Sequence, residues 1–474
     1  MLRSDPPPVP ASPASPASPA DPSRSWAPDS WKRVIAAHQA VYPDRDAVDR
    51  AVARLAELPP LVTSWEIERF RTLIADAQRG ERFLLQGGDC AEAVADCTPG
   101  SITSRLKILL QMSMVLVHAS KKPVIRVGRF AGQYAKPRSS PTETRTVGGA
   151  RVTLPSYYGD LVNRAEFTEQ ARTPDPARMI DGYQHAALTL NFIRSLLEGG
   201  FADLHHPEYW DLGFMRHAAL PPALRAQYER MTERLADSLR FMEAMGERRV
   251  DELTRMEFFT SHEALNLLYE SAQTRRVPRR EGFYNLTTHL PWIGERTRAA
   301  DGAHIEYARG IQNPVGLKIG PRIGAEELLR LIDLLNPSNA PGKLVLIARM
   351  GATHVAAALP PLVEVVQRAG KQVLWVCDPM HGNTVTTSAG IKTRLFDDVT
   401  RELQAAWDIH ASLGSHLGGV HIELTGDDVT ECLGGASGIT EADLSRNYVS
   451  PCDPRLNYDQ AMELAFALAQ RMSP

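Results

Sequence analysis

The stretch KQVLWVCDPMHGNT, residues 371–384, decides the fold. Val373 to Val376 read as a buried strand, the apolar run stops at Cys377, and Asp378, Pro379, His381, Gly382 and Asn383 crowd the turn beyond it. An apolar strand that releases hydrogen-bonding residues at its C-terminal end is how parallel α/β proteins present active sites. Whether His381 is a lone loop histidine or one of a set depends on whether the pattern repeats.

It does repeat. Short apolar runs at 83–86, 123–127, 256–259, 284–287, 315–319, 344–348, 373–376 and 419–424 alternate with helix-length segments such as 325–335, 354–369 and 397–412. Eight strands alternating with helices predict an α/β fold of the (β/α)8 TIM-barrel type, since an open doubly wound sheet seldom needs so many. Helical periodicity at 31–39, 47–58 and 65–78 predicts an N-terminal helical extension over 27–80. One gap is out of scale. It predicts a large helical insertion after strand 2, residues 139–255, with helices at 184–197 and 224–245 and a role as subdomain or oligomer contact.

Residues 1–26 are rich in Pro, Ala and Ser, cannot bury enough surface to offset their ordering entropy, and are expected to be disordered. They lack the basic and apolar regions of a signal peptide and carry Asp5 and Asp21, which a transit peptide avoids. A cytoplasmic location is the expectation. Five cysteines with no CxxC pair argue against a disulfide framework or zinc ribbon. The net charge of −3 gives no bulk pull toward nucleic acid or anionic membrane. No apolar run reaches the roughly 18 residues of a membrane span. At 474 residues and 43% apolar, the chain can bury a large core.

The residues just past each strand sort into two chemical groups. Cys90, His381, Glu423 and Asp453 offer a thiolate, an imidazole and two carboxylates, a mixed set suited to a divalent transition metal. Arg129, Lys136, Arg138, Arg296, Lys318, Arg349 and Lys392 are cations on the same end of successive strands, which implies an anionic substrate carrying one or two phosphates. Each has a plainer reading. Cys90 could be packing, His381 a backbone brace, Asp453 a helix cap, and the cations ordinary surface ion pairs. Glu423 in VHIEL and Lys318 in VGLKIG resist it, because a charge inside an apolar strand needs a partner. His262 and Glu263 in SHEA read as structural.

These residues sit in long, specific words: LLQGGDCAE, RFAGQYAKPRSS, GYQHAALTLNFIR, FFTSHEAL, WIGERTR, RMGATH, CDPMHGNT, GIKTR, HIELTG, DVTECLGG and CDPRLN. From about residue 27 to the C-terminus the chain resembles the type II 3-deoxy-D-arabino-heptulosonate 7-phosphate (DAHP) synthases. The resemblance implies a barrel that condenses phosphoenolpyruvate with D-erythrose 4-phosphate, using one divalent metal, first Mn2+ or Co2+, with Fe2+ or Zn2+ also accepted by such ligands. It places the metal ligands at Cys90, His381, Glu423 and Asp453. It places phosphoenolpyruvate at Arg129, Glu295, Arg296, Lys318 and Arg349, and erythrose 4-phosphate at Lys136, Arg138, Ser139 and Lys392. Lys318 and His381 are the implied catalytic residues, with Lys318 the candidate for proton traffic.

A homo-oligomer (dimer or tetramer) and a chorismate mutase partner are expected with this reading, while the charge balance and the apolar runs point to no nucleic acid or membrane partner. Asn285, Leu286 and Thr287 stand where the family commonly has Asp-Cys-Ser, and the basic run at 275–280 is unusual. Two further readings stay open: a secondary-metabolite relative acting on an amino sugar phosphate, and a catalytically silent regulatory paralogue. The adjacency of Cys452 to Asp453 also predicts that Cys452 lies near Cys90.

Overall fold

The computed structural model describes residues 25–199, 221–244 and 257–473. Nearly all of the leader, part of the insertion and Met256 therefore lie outside the described residues. Eight parallel strands close into a barrel: β1 (Phe83–Gly88), β2 (Val124–Arg129), β3 (Phe258–Glu263), β4 (Leu290–Ile293), β5 (Val315–Ile319), β6 (Leu344–Ala348), β7 (Leu374–Cys377) and β8 (Leu417–Glu423). β8 pairs back onto β1, with Gly88 opposite Glu423.

Side chains alternate between the two faces of a strand, and burial follows that parity. Leu317, Leu346, Cys377, Val420 and Ile422 face the layer of surrounding helices. Their neighbours Leu84, Ile125, Phe259, Leu290, Val345 and Leu374 fill the barrel interior near the strand starts. The helix α2 (Ser64–Gln78), which follows α1 (Arg45–Glu57), plugs this N-terminal end with Phe70, Leu73, Ile74 and Ala77. Those four lie on one stripe of the helix. A reciprocal capping box between Thr63 and Glu66 starts it. With one end sealed by apolar side chains, the inward positions at the other end are free to carry charge.

The outer layer includes α3 (Pro99–Ser120), α6 (Ala325–Leu335), α7 (Val355–Arg368), α8 (Phe396–Ser412) and α9 (Tyr458–Met472). Between β2 and β3 lie a hairpin (Thr142–Val147 with Ala150–Pro155), α4 (Ala177–Glu198) and α5 (Pro222–Ala244).

Two expectations are corrected. The fourth strand is β4, not 284–287. Tyr284–Asn285 instead pairs antiparallel with Thr274–Arg275, and the Leu286 carbonyl accepts from the Leu61 and Val62 amides. Pro291 obscures the true strand, since proline reads as a strand breaker, yet β4 pairs on both sides. Likewise, 31–39 does not form a full helix; only a 3-10 turn, Ser30–Arg33, is present. There the chain is drawn into tertiary contacts: Trp26 Nε1 donates to the Glu306 carbonyl and Ala303 N donates to the Ile35 carbonyl.

A buried histidine gives this layer a pH dependence. His410 on α8 packs against Trp375 with ring centroids 5.4 Å apart, and burial pushes its pKa down to about 4. It stays neutral in the folded chain while the unfolded chain protonates it below about 6.5. Its contribution is thus complete at neutral pH and is lost as pH falls from 6.5 toward 4. The loss is worth about 3 kcal/mol. Melting curves of His410→Asn should fall less steeply across that interval than those of the native chain; parallel curves would contradict the assignment.

Candidate active site and metal centre

Strand parity delivers the site. Arg129 ends β2, Lys318 lies in β5 and Glu423 ends β8, each on the inward face. Cys90, Arg349 and Asp378 continue the inward series just past β1, β6 and β7. Asp453 comes from the segment before α9, where the Leu456 amide donates to the Glu423 carbonyl and draws the loop onto β8.

Ligand atoms of Cys90, Glu423 and Asp453 lie within 4.8 Å of one another, the metal-competent cluster found among the described residues. His381 joins through Glu423, with Nε2 3.0 Å from Oε1. Its Nδ1 faces Asp378 Oδ2 at 2.8 Å. A carboxylate on one imidazole nitrogen fixes the ring so that the other can ligate. The Lys136 ammonium contacts Cys90 Sγ and lies 2.6 Å from Asp453 Oδ2 and 3.7 Å from Glu423 Oε1. A cation thus already stands where the three donors converge, and the residues present fit a divalent ion.

Charge is balanced locally. Burial opposes ionisation of Glu423, but His381, Lys136, Arg394 and Arg129 hold its carboxyl well below the usual carboxylate range. Arg129 and Arg394 each contact it, at 2.9 and 2.8 Å. Asp453 is half-buried; desolvation opposes its ionisation too, yet its carboxyl is held low, chiefly by Lys136. Burial pushes the Cys90 thiol up, and the free Cys452 side chain is hydrogen-bonded to it, near Cys90 as adjacency predicted.

Of the predicted phosphoenolpyruvate residues, Arg129, Lys318 and Arg349 are linked directly to this centre, whereas Glu295 and Arg296 bond elsewhere. Lys318 Nζ lies 3.1 Å from Asp378 Oδ2 and 3.3 Å from His381 Nδ1. Burial lowers its pKa, as does Arg129, while Asp378 opposes the shift. Arg349 donates to the His381 carbonyl at 2.6 Å, and its buried Nε has no protein partner. Glu295 pairs with Arg298 at 3.1 Å, and the exposed Arg296 donates to the Pro137 carbonyl. Among the predicted erythrose 4-phosphate residues, Arg138 reaches Cys452 Sγ at 3.6 Å and Lys392 reaches Asp453 Oδ1 at 3.5 Å. Ser139, next to Arg138 in sequence, is exposed.

Sequence reasoning missed several members. Trp292 floors the site, with the Arg129 guanidinium 5.2 Å and Lys318 Nζ 5.5 Å from its ring centroid. Glu263, read from sequence as structural, is half-buried with a buried, unpartnered Oε1, and desolvation raises its pKa against the pull of Lys318 and Lys136. A buried network of Arg105, Asp89, Arg455 and Glu431 ties the Cys90 loop to the Asp453 loop, with Arg455 2.6 Å from Asp89 and 2.9 Å from Glu431. Glu92 accepts the amides of Ala131, Gly132 and Gln133 and so holds the loop carrying Lys136. Parity along SHEA was the available signal for Glu263; the loop braces carry none.

The family model described as the class-II DAHP synthetase family matches residues 26–469. A protein of Neurospora crassa is 47% identical over 460 residues, spanning 94% of each chain. One of Streptomyces coelicolor is 48% identical over 444 residues, spanning 94% of this chain and 97% of its own. Both are named phospho-2-dehydro-3-deoxyheptonate aldolase. Similarity along nearly the whole length, on a closed barrel with a charged C-terminal mouth, establishes that this chain belongs to the class-II DAHP synthetase family.

Proposed function

We propose that the centre around Cys90, His381, Glu423 and Asp453 is where this chain carries out its family's reaction. That reaction condenses phosphoenolpyruvate, D-erythrose 4-phosphate and water to DAHP and phosphate, the first step toward the aromatic amino acids. The observation that carries the placement is the convergence of three donors on the Lys136 ammonium, inside a ring of buried cations.

The family is metal-dependent, and Cys90, His381, Glu423 and Asp453 would hold the ion. A mixed N, O and S set of this kind favours Mn2+ or Co2+ in our reading, with Fe2+ and Zn2+ as competitors. When bound, the ion supplies Lewis-acid stabilisation for charge developing on the aldehyde oxygen. Arg129, Arg296, Lys318 and Arg349 hold the phosphate and carboxylate of phosphoenolpyruvate, with Glu295 orienting the cations, so that C3 faces the aldehyde carbon. Lys136, Arg138, Ser139 and Lys392 take the phosphate of erythrose 4-phosphate. Lys318 carries the proton that the aldehyde oxygen acquires on becoming a hydroxyl, a role its burial-lowered pKa suits.

Phosphate release from phosphoenolpyruvate tests this. Release should require erythrose 4-phosphate, stop with a chelator, and return when Mn2+ or Co2+ is restored. Failure under every divalent metal would sink the enzyme reading and revive a silent paralogue. Preference for the amino analogue of erythrose 4-phosphate would indicate a branch-pathway enzyme, a reading the two relatives do not favour. No helix among the described residues is long and apolar enough to cross a membrane; cytoplasmic location, a dimer or tetramer, and a chorismate mutase partner belong to the same proposal.

A further inference from the structure

Glu402 lies on α8, in the helix layer outside the barrel, and has no part in the roles proposed above. It is nevertheless 1% exposed, and its carboxylate reaches between two loops of the site. Oε1 accepts the amides of Met350 at 2.7 Å and Gly351 at 2.9 Å, the two residues that follow Arg349. Oε2 accepts the Asn383 side-chain amide at 2.7 Å, two residues after His381.

Asn383 extends the bracket. Its Oδ1 accepts the Ala352 amide at 2.8 Å, and its Nδ2 also donates to the Pro379 carbonyl at 2.8 Å. The two loops touch directly as well. Arg349 donates to the His381 carbonyl, and a Cβ added at Gly382 would fall 2.4 Å from the Gly351 nitrogen. Gly351 itself has φ +84°, a backbone conformation that favours glycine. No Lys or Arg pairs with Glu402 among the described residues, so its hydrogen bonds are all to these loops.

We propose that Glu402 is a positioning residue that sets Arg349 and His381 relative to each other, coupling the phosphoenolpyruvate anchor to the metal ligand. This rests on the reading of Arg349 and His381 given under the proposed function. A carboxylate serves both loops because each oxygen accepts. Glu402→Gln keeps an acceptor for the Met350 and Gly351 amides, the orientation that opposes one donor rather than two. It then presents N–H groups to the Asn383 amide and loosens the His381 side alone. Glu402→Ala releases both sides.

The experiment measures Co2+ dissociation constants of chelator-stripped proteins, together with KM for phosphoenolpyruvate at saturating metal and the melting temperature. Glu402→Gln should bind Co2+ about tenfold more weakly, as for other residues that orient a ligand, with KM near the native value. Glu402→Ala should lose about tenfold in both. His381→Ala and Arg349→Ala are the references. If His381→Ala leaves Co2+ affinity unchanged, the reading of the metal site fails, whatever Glu402 does. If the references behave and Glu402→Gln changes neither quantity, or changes both equally, the proposal is overturned. Should the alanine variant not fold, the glutamine variant carries the test.

Discussion

Lys318→Met is expected to lower the turnover number by about 10² to 10⁴, the range for loss of a positioned proton donor. Methionine matches the length of the lysine stem and suits a position that is 5% exposed, so the barrel should survive the change. What disappears is the ammonium between Asp378 and His381, above the Trp292 ring. Two effects are then separable by steady-state kinetics. A cation that only anchors phosphoenolpyruvate raises KM and leaves turnover intact, whereas one that moves a proton lowers turnover at saturating substrate. An unchanged turnover number with a raised KM would reduce Lys318 to a binding residue.

Glu423→Gln should have the larger combined effect. Its carboxylate is shared by Arg129, Arg394, His381 and Lys136, all within 3.7 Å. The neutral amide removes a metal donor and leaves the Arg129 and Arg394 guanidiniums buried without their counter-charge. Breaking such a pair costs about 3–5 kcal/mol, so the melting temperature should drop. Turnover should fall by at least about 10³ even at high metal, because several kcal/mol of transition-state charge stabilisation depends on a correctly held ion. A variant that keeps native turnover at ordinary metal concentrations would remove Glu423 from the ligand set.

Barrel and charge pattern were legible in the sequence because both rest on period-2 parity. Lys318 in VGLKIG and Glu423 in VHIEL are charged residues at inward positions of buried strands, where each needs a buried partner of opposite charge. Elements that depend on tertiary context were not legible. Pro291 hid β4, while 284–287 had the pattern of a strand but spends its polar groups elsewhere. Asn285 and Thr287 both donate to Glu270, which pairs with His262 at 2.7 Å. The departure at 285–287 therefore lies in a buried network beside the barrel rather than in a barrel strand. The unusual basic run is also partly absorbed: Arg280 pairs with Glu68 at 2.7 Å and stacks 4.6 Å from Trp65. Glu402 and Glu431 could not be found from pattern at all, since their partners lie on other loops: backbone amides and the Asn383 side chain for Glu402, backbone amides and the Arg455 guanidinium for Glu431.

The central claim, that Cys90 and its partners hold the metal on which condensation depends, is tested most directly by titrating chelator-stripped native protein with Co2+. Absorption and phosphate release are followed together. One equivalent should produce a thiolate-to-cobalt charge-transfer band, and turnover should return in proportion to it. Full turnover without a thiolate band, or without bound cobalt, would contradict the account.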